Sequence, residues 1–389
     1  MKLLNVITSI DPAGGGVVEA VRQFGMAQRA AGHHIEVASM DAPGIFDGAK
    51  FPLPVTCLGP SVSGFAFSKK FLPWLSERAR KFDAVIVNGI WQYPSIGVRA
   101  GLRGTGVPFF IFPHGMLDPW FRRAYPLKHL KKMIFWKLFQ ARTFAEARAI
   151  LFTCEEEKLL ARNSFSPYRC RELVAGLGVT LPPGKPEQQK KLFLEKFPEL
   201  RGKESILFLG RIHPKKGCDL LLRAFAKMAS EQENLRLIMA GPDQAGWMTE
   251  LKALGESLGV ANRIVWPGML TGDLKWGAFH ASAAFALPSH QENFGIAVAE
   301  ALSCGLPVLI SKPVNIWREI EADGAGLVES DSQAGTDQLL HRWRKLTESE
   351  RATMREKAVR SFRERFEINR AAANMIEVIR GAMSNLARA

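Results

Sequence analysis

At 389 residues the chain exceeds one ordinary hydrophobic core and suits two domains of roughly 150–200 residues each. Its composition, 47% hydrophobic and 23% charged, is globular, which excludes a disordered or fibrous chain. A formal net charge of +14 favours anionic partners: nucleotides, pyrophosphate-linked substrates, phospholipid headgroups or nucleic acid.

The first residues, MKLLNVITSI, carry too short an apolar run for a leader and read as a buried strand. A membrane span needs roughly 18–20 uninterrupted apolar residues, and no window approaches that. A cytoplasmic protein is expected, with a membrane surface as one candidate partner. The five cysteines (Cys57, Cys154, Cys170, Cys218, Cys304) are dispersed, with no C-x-x-C pair. That argues for free thiols in a reducing compartment, against a disulfide frame or a zinc site.

In chain order, strands are predicted over 3–8, 35–39, 55–58, 84–88, 109–112 and 150–153. Between the first two runs a helix whose inward face is Val17, Val21, Phe24 and Gln28, with Gly32 as its stop. Strands alternating with helices imply a parallel sheet covered on both faces. The stretch LPPGKPEQQKK, from residue 181, has no apolar period and reads as a linker, followed by a short helix over KLFLEKFPEL. A second series follows, with strands over 205–209, 235–240, 263–266, 284–287 and 308–310, and a last helix spans about 366–380. Two doubly wound halves of this kind bind ligands outside the carboxyl ends of their strands.

Chemistry concentrates in the second half. The strand over 205–209 ends in GRIHPKKG, which puts Arg211 and Lys216 on a strand-end loop beside Gly210 and Gly217. Two cations and pliable backbone suit a diphosphate, although a solvated basic loop would look the same. After the strand over 284–287 comes PSHQENFGIAVAEALSCGLPVLIS, with Glu292 and Glu300 eight residues apart. Asn293, Phe294, Gly295 and Ile296 open a helix between them, and free N–H groups at a helix start favour phosphate. If helical throughout, the spacing is about 12 Å. Paired glycosidase carboxylates stand roughly 5–9.5 Å apart. The pair therefore reads as a clamp on two ends of a ligand rather than an acid–base dyad.

GRIHPKKG, AGPD at 240–243, WPGML at 266–270 and ENFGIAVAEALSCGLPVL at 292–309 together resemble family 4 of the retaining GT-B glycosyltransferases. Glu292 and Glu300 match that family's E-x7-E motif, and the resemblance spans nearly the whole chain. It implies an α/β, GT-B fold of two Rossmann-like doubly wound domains facing a central cleft. Residues 1–183 would be the acceptor domain, completed by a C-terminal helix at about 362–389, and 184–361 the nucleotide-sugar domain. Arg211 and Lys216 would neutralise the leaving diphosphate in place of a metal. Glu292 would face the donor sugar, the amides of 293–296 would touch sugar and phosphate, and Glu300 would hold the ribose. Met269 and Leu270 would bracket the base. No D-x-D motif stands on a strand-end loop, so no metal and no cofactor beyond the nucleotide sugar is expected.

In the N-terminal half Gly14, Gly15 and Gly16 match the family's glycine loop, though a tight turn would explain them as well. Their spacing is not G-x-G-x-x-G, which weakens a dinucleotide reading. His114, at a strand end in FPHGMLDPW, occupies the position where the family contacts the donor sugar. Asn88, Trp91, Asp118 and Trp120 are acceptor candidates with an even structural alternative. No carboxylate presents itself as a covalent nucleophile, which fits the front-face substitution the family implies.

Two basic, aromatic segments, 65–82 and 121–148, suit contact with an anionic membrane, or equally an amphipathic helix with a solvated face. They lie in the half expected to receive a saccharide or lipid-pyrophosphate-linked acceptor. The activity expected is hexosyl transfer in surface polysaccharide or exopolysaccharide synthesis, from UDP-glucose first and GDP-mannose next. The rivals are a GT-B nucleotide-sugar 2-epimerase and a basic nucleic-acid-binding protein. The second lacks any RNP, KH or zinc-finger pattern, so no nucleic-acid partner is expected.

Overall fold

The computed structural model describes residues 1–12, 15–44, 51–61 and 64–384. The chain forms two compact units, Met1–Thr180 with the segment from Ile368 onward, and Leu181–Glu367. The second division falls later than the sequence placed it. The Glu348–Ser361 helix continues through a π-helical turn, Phe362–Phe366, whose two phenylalanines are buried. The Phe366 ring packs edge-on against Phe294, which ties this turn to the second unit.

The first unit holds seven parallel strands, β1 (Lys2–Ile7), β2 (His34–Ser39), β3 (Val55–Cys57), β4 (Ala84–Asn88), β5 (Phe109–Phe112), β6 (Ala149–Phe152) and β7 (Glu172–Val174), in the order β3-β2-β1-β4-β5-β6-β7. The sequences AVIVN, FFIF and AILF of β4, β5 and β6 are buried at every position. Central strands of a sheet covered on both faces read this way, as continuous apolar runs rather than alternations. β7 escaped the sequence reading: it is three half-buried residues at the sheet edge, beside β6.

The Gly16–Ala30 helix buries Val18, Val21, Phe24 and Gln28; Val17 is only half-buried, so the inward face starts one residue later than predicted. Its end is a Schellman motif. Gly32 takes φ 84°, its N–H reaches the Arg29 carbonyl, and the His33 N–H reaches that of Gln28. The C-terminal Ile368–Ser384 helix returns to this unit and lies along the Gly16–Ala30 helix.

The second unit holds β8 (Glu204–Leu209), β9 (Leu235–Ala240), β10 (Ile264–Gly268), β11 (Ala284–Leu287), β12 (Val308–Ser311) and β13 (Gly326–Glu329), all parallel, in the order β10-β9-β8-β11-β12-β13. β13 was not predicted. The predicted linker is partly helix: Pro186–Lys196 starts inside it, with Pro186 at the first helical position. Its buried Phe193 and Gln189 pack on the Gly272–Ala281 helix, a tertiary contact that its weak apolar period did not announce. In both sheets the strand order reverses beside the first strand, at β1/β4 and at β8/β11, and the candidate residues gather at the carboxyl ends there.

Candidate active site

In the second unit the loops after β8 and β11 are locked together. The Ser289 hydroxyl donates to the Lys215 carbonyl at 3.0 Å, and the His290 N–H reaches the same oxygen at 2.8 Å. Gly217 takes φ 66° to start the Cys218–Ala229 helix, and a Cβ there would lie 2.2 Å from the Pro288 carbonyl oxygen. Only glycine lets these two loops approach so closely. The approach brings Lys216 to Glu292, and its ammonium donates to Glu292 Oε2. Lys216 is 8% exposed. Burial first, then the neighbouring charges of Lys215 and Arg211, push its pKa down to about 7. The Glu292 carboxylate works against that shift. Arg211 points outward, with Nη1 donating to Gln244 Oε1 at 2.9 Å.

Residues 292–295 are a loop rather than a turn of helix, so the helical spacing assumed between the glutamates does not apply. Glu292 is pinned by its backbone, its N–H on the Pro313 carbonyl and its own carbonyl on the Asn315 N–H. Gly295, at φ 74°, then opens the Ile296–Ser303 helix. Glu300 sits one turn in, 9% exposed, and accepts from Lys275 Nζ at 2.6 Å. Lys275 lies over the Trp276 ring, 4.7 Å from its centroid. It comes from the Gly272–Ala281 helix, 25 residues before Glu300, and nothing local in the sequence linked the two. Past β10, Met269 is 70% exposed while Leu270 is buried, so only Met269 offers its side chain to the surface.

The first unit presents a polar chain at the carboxyl ends of β1, β4 and β5. Asn88 Nδ2 donates to Asn5 Oδ1 at 3.1 Å, and Asn88 Oδ1 faces His114 Nε2 at 3.0 Å. With the Asn88 amide so committed, Nε2 carries the proton and Nδ1 the lone pair. His114 stacks on Phe112, with ring centroids 4.1 Å apart, and burial pushes its pKa down to about 3. The imidazole is neutral at physiological pH. Both His114 (φ 51°) and Trp91 (φ 77°) hold left-handed backbone, rare for such residues and costing about 1–3 kcal/mol each.

The sequence reading missed Glu157. This carboxylate, 3% exposed, accepts from the Gly115 N–H at 2.6 Å and from the Thr153 N–H and hydroxyl at 2.7 Å each. It therefore clips the loop after β5, next to His114, to the loop after β6. Its only signal was a Glu in the first turn of a helix. Trp91 packs between Phe135, Trp136 and Phe165 and donates its indole N–H to the Met116 carbonyl at 3.3 Å. Its structural alternative is what the packing displays. Asp118 accepts from the Trp120 N–H at 2.8 Å, and the half-buried Trp120 ring meets Phe121 and Tyr125. Gly15 (φ 73°) precedes the Gly16–Ala30 helix, and both it and Gly16 are exposed; Gly14 lies outside the described residues.

A model of glycosyl transferases group 1 matches residues 189–365, and one of a glycosyl transferase 4-like domain matches residues 15–175. The chain belongs to the family 4-type glycosyltransferases of the GT-B fold. It is similar to a D-inositol 3-phosphate glycosyltransferase of Segniliparus rotundus, 36% identical over 28% of this chain and 24% of that protein. An uncharacterized glycosyltransferase of Methanocaldococcus jannaschii is 33% identical over 36% of each chain. Such matches span between 24% and 41% of those relatives' own lengths. Among solved structures, Anabaena HepE in complex with UDP-glucose superposes with a TM-score of 0.73, covering 98% of this chain and 100% of that one at 18% identity. Sucrose-phosphate synthase of Thermosynechococcus elongatus gives 0.75, covering 99% and 100%, at 16%. At these identities the likeness is one of fold.

Along this chain the two basic segments part company. Within 65–82, Phe71 and Leu75 are buried, and Phe65 and Phe67 pack on Tyr93, so the aromatic residues face inward and not a membrane. Segment 121–148 keeps apolar residues outside. Among the described residues no helix is long and apolar enough to cross a membrane.

Proposed function

We propose that this glycosyltransferase moves a hexosyl group from a nucleoside diphosphate sugar, UDP-glucose first and GDP-mannose next, to a saccharide or lipid-linked acceptor, with retention at the anomeric carbon. The observation that carries the reading is the contact of buried Lys216 with half-buried Glu292, built by the β8 and β11 loops beside a helix N-terminus. An anionic diphosphate gains a buried cation and backbone N–H groups there, while the carboxylate it displaces from Lys216 becomes an acceptor for sugar hydroxyls. Glu300, held by Lys275, is the acceptor for ribose hydroxyls. Support also comes from similar proteins, a D-inositol 3-phosphate glycosyltransferase and a solved structure holding UDP-glucose.

In the reaction the bond from the anomeric carbon to the diphosphate oxygen breaks. The acceptor oxygen bonds to that carbon on the same face, and its proton passes to the departing phosphate. Arg211 and Lys216 stabilise the negative charge that develops on the leaving group, a task a metal could otherwise perform. His114 is the substrate contact of the first unit, as a neutral imidazole that cannot act as a cation. Surface polysaccharide or exopolysaccharide synthesis is the setting this chemistry suits.

The test is calorimetric titration of UDP, GDP and ADP in EDTA, repeated with Glu300→Ala. One nucleotide should bind without metal and weaken in the variant. Binding of none, or equal binding by the variant, would overturn the assignment.

A further inference from the structure

Residues 126–146 form one helical rod: Pro126–Phe135, a π-helical turn Trp136–Gln140, and Ala141–Glu146. Its inner face is well spent. Trp136, Gln140, Thr143 and Phe144 are buried, and Met133 packs against the core beside them. Its outer face is anomalous. Ten large hydrophobic residues stand exposed among the described residues, and six of them lie within 125–139. They are Tyr125, Leu127 (79%), Leu130, Ile134, Leu138 and Phe139.

At 3.6 residues per turn Leu127, Leu130, Ile134 and Leu138 fall on a single stripe. Lys128 and Lys131 border it on one side and Lys137 on the other, all exposed. No acidic residue occurs between Asp118 and Glu146. A contiguous apolar stripe left in water requires a partner, and singly scattered hydrophobic residues would not.

We propose that this outer face docks on an anionic lipid bilayer, with the helix lying in the plane of the interface. The apolar stripe enters the acyl boundary and the flanking lysines meet phosphate-bearing headgroups. A second copy of the chain fits poorly, because a two-fold contact along the stripe would set lysine rows against each other. The surface is a property of the first unit alone and does not depend on which sugar is transferred.

The experiment is flotation of the full chain with phosphatidylcholine vesicles, with and without phosphatidylglycerol, at low and high salt. The protein should float with the phosphatidylglycerol vesicles, and less at high salt. Lys128→Gln and Lys131→Gln should each weaken the partition about fivefold. Leu130→Ser with Ile134→Ser should abolish flotation while thermal stability and nucleotide binding stay close to wild-type values, since both residues are more than half exposed. Flotation of that double variant at the wild-type level, or none by the wild type on either vesicle, would overturn the proposal. So would a wild-type dimer in solution that the double variant dissolves, since a second copy would then cover the stripe.

Discussion

The ammonium of Lys216 donates to the carboxylate of Glu292, so the cation suited to a diphosphate and the carboxylate suited to a sugar are each other's partners before any ligand arrives. Both come from strand-end loops, 76 residues apart in sequence. The pair keeps a buried charge satisfied, where leaving either group alone would be costly.

Replacing Lys216 by Ala should therefore remove the cation that a diphosphate would meet. Nucleotide diphosphate binding should weaken by about 1.5–3 kcal/mol, the worth of a charge-assisted bond. Glu292→Gln should spare nucleotide binding far more than Lys216→Ala does and instead impair use of the sugar. Titration calorimetry with UDP or GDP, set beside turnover of the complete donor, separates the two. Equal losses of nucleotide affinity in both variants would contradict the division of labour.

The lowered pKa of Lys216, about 7, gives a pH dependence of known sign. A diphosphate favours the protonated lysine and raises its pKa, so binding takes up a proton wherever the free site has lost one. Affinity should be greatest below about pH 7 and fall as pH rises through that value. Calorimetry of a nucleoside diphosphate sugar, whose phosphates do not titrate near neutrality, in two buffers of different ionisation enthalpy reads the uptake directly. A pH-independent affinity between 7 and 9 would mean that Glu292 keeps the lysine charged throughout.

His114 should behave as a permanently neutral imidazole. Its folded pKa, about 3, lies below the ordinary value of 6.5, so the unfolded chain binds its proton first. The stability it permits is intact above pH 6.5 and is lost as pH falls from there toward 3. Nitrogen NMR of the ring should show the Nε2–H tautomer, and His114→Asn should flatten the acid limb of a stability curve. A ring that protonates near 6.5 would refute the half-buried, stacked environment.

Glu157→Gln should destabilise the first unit by about 1–3 kcal/mol, because an amide has one acceptor oxygen, whereas the two carboxylate oxygens accept from the Gly115 N–H and from the Thr153 N–H and hydroxyl. Denaturant unfolding measures the loss. Nucleotide affinity should be unchanged if the clip serves only the loops of β5 and β6.

Much of this was legible beforehand. β4, β5 and β6 announced themselves because strands buried on both faces are unbroken apolar runs. Gly32 announced a helix end because a left-handed C-cap nearly demands glycine. β7 and β13 did not, being short edge strands whose pairing to β6 and β12 is their main qualification. The first half of the Pro186–Lys196 helix looked like a linker because its stability comes from contact with the Gly272–Ala281 helix and not from a strong apolar face of its own.

By itself the sequence determined the two α/β units, the family, and which loops carry the charged and glycine residues, since all of these are written in local periodicity and short motifs. Tertiary structure alone decided the pairings Lys216 with Glu292 and Lys275 with Glu300, the clip made by Glu157, and the opposite fates of segments 65–82 and 121–148. The physical reason is common to them. A charge acquires its partner, and an aromatic residue its exposure, from chain segments brought alongside by sheet order, and neighbours in space leave no mark on neighbours in sequence.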